Sequence, residues 1–252
     1  MNALGRHRLV PSQTVRAAAF GCIVAAGALL VGACGTDGTP VSDGSTPSAD
    51  TSADTSASST PSTGAPVMAG GAFRVTAAAG QPKVVVTIIE DLACPACQQF
   101  ESLTGTTLDG YAADPEIAID YQIISFLDRV SPDRYSSRAA NASYCVWHAG
   151  DGSVTSQARW RGFQHTMFER QPDEGGPGLD DDEIIAIAAE ADVPDVADCI
   201  TSGQYRDDVA ATTDAVTNDS DFEGTPTVLV NGEKVTARSA SELKAAVDAA
   251  RR

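Results

Sequence analysis

Basic residues are scarce in this chain. Lysine and arginine number 17 against 34 aspartates and glutamates, a formal charge of −17 at neutral pH. Such a chain lacks the positive surface that grips phosphate backbones or anionic lipid head groups, which excludes nucleic acid as a partner. Histidine is scarcer still, at three, and neither His148 nor His165 has a neighbour at metal-ligating spacing. The acidic run from Asp180 to Glu183 lacks the spacing and central glycine of a calcium loop. It reads as a helix start. No metal and no cofactor are expected.

Long apolar stretches are missing beyond the N-terminus. There, Arg6, His7, Arg8 and Arg16 precede residues 17–33, which are apolar and free of charge. At about 17 residues the run lies at the low edge of a membrane span, and its basic start is that of an export leader. A retained transmembrane anchor is the alternative. The run closes on Val31-Gly32-Ala33-Cys34, which resembles the bacterial lipobox. That resemblance implies a leader over residues 1–33, a lipid on Cys34, and a protein exported to the cell envelope and held on the outer face of the cell membrane.

Residues 34–70 are dominated by Gly, Ser, Thr, Pro, Ala and Asp. Such composition cannot bury enough surface to offset the entropy of ordering it. It reads as a tether with a reach of roughly 30 Å. Residues 71–252 are long enough for one domain with a proper core.

The most informative feature is Cys94-Pro95-Ala96-Cys97. It lies where the β-branched run Val84-Val85-Val86-Thr87-Ile88-Ile89 gives way to Gln98-Gln99-Phe100-Glu101. A cysteine at a helix start faces unpaired N–H groups and the positive end of the helix dipole, both of which favour its thiolate. Pro95 suits the first helical position, where its missing N–H costs nothing. Redox chemistry is the favoured reading over a plain disulfide or half a zinc site.

Cysteine arithmetic supports that reading. Cys22 falls in the leader and Cys34 is the lipid site, which leaves Cys94, Cys97, Cys145 and Cys199. An even number in an oxidising compartment suggests two pairs. With Cys94 and Cys97 as the redox pair, Cys145 and Cys199 form a structural disulfide. A four-thiolate zinc site is the rival.

Element signals follow in order. Strands are expected over residues 72–76, 83–90 and 116–126, with a helix from the motif to about Leu108 between the second and third. That makes a βαβ unit of parallel strands. A helical stretch over about 131–220 comes next. Pro132-Asp133 is expected to cap a helix ending near His148. A second helix over 153–170 carries Trp160, Phe163, Met167 and Phe168 as a core stripe, with a substrate groove as the alternative role. Further helices start at Asp180, hold Cys199, and run from Tyr205. Thr227-Val228-Leu229-Val230, Asn231-Gly232 and Glu233-Lys234-Val235 form a hairpin. Ser239 and Glu242 form a capping box for a last helix.

This order is an α/β architecture. Strand, Cys-Pro-x-Cys, helix, strand, helical insertion, Gly224-Thr225-Pro226-Thr227, hairpin and terminal helix resemble the DsbA-like branch of the thioredoxin fold. The resemblance implies a thiol:disulfide oxidoreductase in which Cys94 is the exposed, attacking thiol and Cys97 the resolving one. It makes Pro226 a cis-proline facing the motif, with Thr225 offering its backbone to a substrate strand. Glu90 or Asp91 would take a proton from Cys97, unless both are solvated acids at a strand end. Ala96 departs from the histidine usual in DsbA oxidases, so a weaker oxidant is expected. Expected partners are secreted proteins bearing cysteines and a membrane redox partner. The competing readings are a reductase or isomerase of the same fold, and a peptide- or partner-binding lipoprotein.

Overall fold

Strand β2 (Val84–Glu90) is the middle of the molecule because its β-branched residues suit a sheet covered on both faces. The computed structural model describes residues 65–252. The leader, Cys34 and the tether as far as residue 64 lie outside the described residues. Residues 65–70, assigned to the tether by composition, belong to the packed structure. Ala65 is buried, its N–H donates to the Gly150 carbonyl at 2.8 Å, and Met68 bridges to Ala72.

β2 pairs in parallel with β3 (Ile117–Ile123), from Val84 opposite Ile117 to Glu90 opposite Ile123. The crossover between them is α1 (Pro95–Ala112). It outruns the expected end at Leu108, since Tyr111 carries the buried face one turn further. β1 (Phe73–Thr76) lies antiparallel outside β3. On the other side β4 (Thr227–Val230) and β5 (Glu233–Lys234) complete a sheet of order β1-β3-β2-β4-β5. The β4–β5 turn has φ of 50° at Asn231 and 85° at Gly232. Two positive φ values are what a type I′ hairpin demands, and asparagine and glycine tolerate them. Asn231 also hooks the turn onto β2: its N–H donates to the Val85 carbonyl, and its Oδ1 accepts from the Val85 N–H, both at 2.8 Å.

Between β3 and β4 stand five helices: α2 (Tyr135–His148), α3 (Val154–Glu169), α4 (Asp181–Glu190), α5 (Ala197–Ser202) and α6 (Arg206–Thr217). α7 (Ala240–Ala250) ends the chain. The start of α2 differs from expectation. Arg134 precedes it at φ 57°, and the first helical N–H groups are met from upstream: Ser131 Oγ accepts from Tyr135 N and Asp128 Oδ1 from Ser137 N, each at 2.9 Å. Asp133 is occupied elsewhere, pairing with Arg138 at 2.6 Å. At α7, Ser239 caps as expected. Glu242, however, accepts from Arg238 N at 2.7 Å, one residue before the position a capping box requires.

The insertion is fastened to the sheet by aromatic packing. Phe73 of β1 meets Tyr144 edge-on at 4.6 Å, stacks on Trp147 at 5.0 Å and meets Trp160 edge-on at 5.4 Å. Geometries of this kind add about 0.5–1.5 kcal/mol per pair beyond the area buried. Trp160, Phe163, Met167 and Phe168 are all buried, so the α3 stripe is core, with Phe168 also bordering the space between α1 and α3. That packing holds α2 and α3 against the end of the sheet where the Cys-x-x-Cys emerges.

Candidate active site

Cys94 is the N-cap of α1, extended at φ −88° and ψ 117°, with Pro95 in the first helical turn. Its carbonyl accepts from Cys97 N at 3.0 Å and Gln98 N at 3.1 Å. Across from it, the Thr225–Pro226 peptide is cis, and the Cys94 thiol donates to the Thr225 carbonyl at 3.5 Å. Residues separated by 131 positions thus meet at one sulfur.

Exposure differs from the expectation that Cys94 is open. Cys94 is 8% exposed and Cys97 not at all. Thr225 borders the sulfur, and Gln171, just beyond α3, meets the main-chain carbonyl. Both thiols are free. Their acidities are driven apart. Hydrogen bonding from Cys97 is the main cause that lowers Cys94 to about 6, helped by the Thr225 side chain and by the N–H groups of Cys97 and Ala96, against the opposing effect of burial. Burial pushes Cys97 well above the ordinary thiol value, and the neighbouring Cys94 and Glu90 push it further. One sulfur is ready to carry charge and the other is ready to keep its proton.

The two acids before the motif are both fully buried, which overturns the reading of solvated acids at a strand end. Period-two alternation puts Glu90 on the same face of β2 as Val84, Val86 and Ile88. Neither carboxyl oxygen of Glu90 has a hydrogen-bond partner in the protein. Burial raises it well above the carboxylate range, and Glu101 adds to this while Arg161 opposes it. Asp91 is saturated instead. Its Oδ1 accepts from Ala93 N at 2.8 Å, and its Oδ2 accepts from Leu127 N at 2.8 Å and Ser136 Oγ at 2.6 Å. Burial raises Asp91 to about 6, and those three donors hold it from going higher.

Several residues near the motif escaped sequence reasoning. Glu101 lies one helical turn beyond Cys97, and that i,i+4 spacing on a buried face was the available signal. Its Oε2 is 3.7 Å from Arg161 Nη1, and Arg161 also donates to the Tyr121 hydroxyl. Both line a cavity of about 930 Å³ between α1 and α3, together with Gln98, His165 and Phe168. Gln171, which donates to the carbonyls of Leu92 at 2.8 Å and Cys94 at 3.1 Å, carried no signal in the sequence.

Cys145 and Cys199 are bonded to each other and join α2 to α5, with Cα atoms 5.9 Å apart. Their sulfurs are therefore not available to a four-thiolate zinc site. His165 sits 3.1 Å from Glu169, and His148 stacks on Tyr205 at 4.4 Å.

Comparison with known proteins agrees with this geometry. A thioredoxin family model matches residues 75–249. The reduced form of the disulfide bond oxidoreductase DsbG from Mycobacterium tuberculosis is 35% identical, covering 72% of this chain and 93% of that one, with a TM-score of 0.60. Reduced DsbA from the same organism is also 35% identical, covering 71% of this chain and 97% of that one, with a TM-score of 0.60. The thiol-disulfide oxidoreductase MdbA from Corynebacterium diphtheriae, at 20% identity and a TM-score of 0.60, shares the fold. Among curated sequences, the serine/threonine-protein kinase PknE of M. tuberculosis is 30% identical over 123 residues. This chain spans 21% of that kinase's length. With a Cys-x-x-Cys poised at the start of α1 and a match that takes in the insertion as well as the sheet, the chain belongs to the DsbA-like thiol:disulfide oxidoreductases of the thioredoxin fold.

Proposed function

We propose that this oxidoreductase works as an oxidant in the cell envelope, donating the Cys94–Cys97 disulfide to cysteine pairs of secreted proteins. The observation that carries the direction is the placement of the two thiols, Cys94 at the start of α1, where its thiolate is favoured, and Cys97 wholly buried, where its thiol is favoured. A stabilised Cys94 thiolate favours the reduced form of the pair, and a pair that favours reduction oxidises others. Its value of about 6 falls between about 3.5 for DsbA and about 7 for thioredoxin, as the loss of the usual histidine at Ala96 implies.

In the forward reaction a client thiolate attacks Cys94 sulfur, the Cys94–Cys97 bond breaks, and Cys97 leaves. Burial keeps Glu90 protonated above the carboxylate range, and its charge acts on Cys97, so it is the group that supplies a proton to the departing sulfur and takes it back on reoxidation. Thr225 borders Cys94 and offers its backbone to the client strand. The client's second thiolate then attacks the client sulfur of the mixed disulfide and expels Cys94 as thiolate. The client loses two electrons and the pair gains them.

The same reading includes export, lipid attachment at Cys34, a membrane partner that reoxidises the pair, and a tether that lets the anchored domain sample clients. No described helix is long and apolar enough to cross a membrane. The test is the equilibrium potential of the pair against glutathione. A value above about −180 mV supports the oxidant, and one near −270 mV makes the protein a reductant. For the anchor, mass spectrometry of the membrane fraction should show a lipid on Cys34 that Cys34→Ala abolishes.

A further inference from the structure

The turn from Asp91 to Cys94 is gripped from two sides, and most of the grip comes from the helical insertion or the loop leading into it. On one side is the Asp91 carboxylate. Its Oδ1 closes a local turn by accepting from Ala93 N at 2.8 Å, while Cys94 N donates to the Asp91 carbonyl at 2.9 Å. Its Oδ2 reaches out to Leu127 N at 2.8 Å, in the short helical turn after β3, and to Ser136 Oγ at 2.6 Å in the first turn of α2. On the other side is Gln171, whose single amide nitrogen donates to the carbonyls of Leu92 and Cys94. A third link runs the opposite way, with Gln98 of α1 donating to the Phe168 carbonyl at 2.7 Å. Both Asp91 and Ser136 are wholly buried.

These contacts divide the labour of the two neighbouring acids. Glu90 has two free oxygens and suits proton transfer. Asp91 has three donors on two oxygens and is fully engaged in holding backbone. We propose that Asp91 and Gln171 are positioning residues through which the helical insertion sets the geometry, and so the reactivity, of Cys94.

The physical reason lies in what favours the thiolate. Its partners are the Cys97 thiol, Thr225 and the N–H groups at the start of α1, and such short-range bonds depend steeply on placement. The Asp91–Cys94 turn delivers the sulfur to them. Gln171 adds an amide dipole whose positive end points at the Cys94 carbonyl, beside the same helix start. Asp91 and Glu90 themselves repel the thiolate, so the grip acts only through placement of the turn, and Gln171, which carries no charge, reads that placement most directly. Loosening it leaves the thiolate less well solvated by the protein. The thiol then becomes less acidic and the pair less oxidising.

The inference rests on the redox reading of Cys94, and its test reads thiol acidity without any client. In the purified chain, Ser136→Ala removes one donor from Asp91, and Gln171→Leu removes both bonds to the turn from a half-buried position that tolerates the change. Asn141→Ala is the control. It breaks comparable bonds within the insertion, to Ile200 and Tyr205, without touching the turn. Cys94 acidity is followed by the pH dependence of iodoacetamide alkylation, and the redox equilibrium by titration with glutathione.

Ser136→Ala and Gln171→Leu should each raise the Cys94 midpoint by about half a pH unit. Each should also move the glutathione equilibrium about threefold toward the protein disulfide, about 15 mV. Asn141→Ala should lower the melting temperature and leave both readings in place. If Ser136→Ala and Gln171→Leu behave like Asn141→Ala, losing stability while Cys94 keeps its acidity and potential, the grip is structural only and the inference is wrong. Should Ser136→Ala fail to fold, Gln171→Leu decides alone. A potential near thioredoxin's in the unaltered chain would defeat the oxidant reading and leave this inference standing.

Discussion

Replacing Cys97 by alanine leaves Cys94 as a lone thiol and tests the origin of its acidity. In the intact pair Cys94 is lowered from 9.0 to about 6. A lowered value means the stabilisation of the reduced form is complete above pH 9 and is lost as the pH falls through 6. At pH 7 the thiolate accounts for roughly a tenfold gain for the reduced form over a thiol of ordinary acidity, about 1.4 kcal/mol. For a two-electron couple that is about 30 mV of added oxidising power. Two signatures follow. Alkylation of the reduced pair by iodoacetamide should show a midpoint near pH 6. The potential should fall by about 60 mV per pH unit below that midpoint and by about 30 mV above it, because reduction then takes up one proton instead of two. In Cys97→Ala the largest cause of the shift is gone, so the alkylation midpoint should climb by a unit or more. A midpoint unmoved by that substitution would show that the helix start alone sets the acidity, and a wild-type midpoint near 9 would refute the whole account.

Glu90→Gln should stabilise the fold at pH 7, because the buried carboxyl is held protonated well above the usual range and an unfolded carboxyl is not. Each pH unit above the unfolded value of about 4.3 costs the wild type about 1.4 kcal/mol until the folded group ionises, so urea denaturation should find the gain shrinking to nothing near pH 4. The same variant should slow reoxidation of the pair in stopped-flow measurements, since it removes the proton acceptor proposed for Cys97. Cys145→Ser paired with Cys199→Ser opens a disulfide of sequence separation 54, worth about 4 kcal/mol by loop-closure entropy. Its melting temperature should fall while exchange at Cys94 persists. Trp160→Ala, at a residue with no exposure, should cost about 3–5 kcal/mol in urea denaturation by loosening the aromatic join between insertion and sheet.

Much of this molecule is legible without coordinates wherever the signal is local. The run from Val84 to Ile89, followed by Cys94-Pro95, encodes strand, turn and helix start within a dozen residues, because side-chain branching and a fixed φ act on the backbone nearby. Asn231-Gly232 marks its hairpin for the same reason. The burial of Glu90 was also within reach, since alternation along β2 puts it on the apolar face. Errors arose where a competing partner won a local contest. Asp133 pairs with Arg138 and leaves the start of α2 to Ser131 and Asp128, and Glu242 closes on Arg238 N–H and not on Ser239.

The sequence by itself determined the class: an acidic chain with a reactive dithiol at a helix start, a helical insertion, and a second cysteine pair within it. The tertiary structure alone decided how that dithiol is tuned. Thr225 meets Cys94 across 131 residues, Gln171 across 77, and Ser136 meets Asp91 across 45. Contacts at such separations depend on how the insertion packs on the sheet, a property of the whole folded chain that short-range patterns of residues do not contain. For that reason the covering of Cys94, the saturation of Asp91 and the bare oxygens of Glu90 could be read only from the fold.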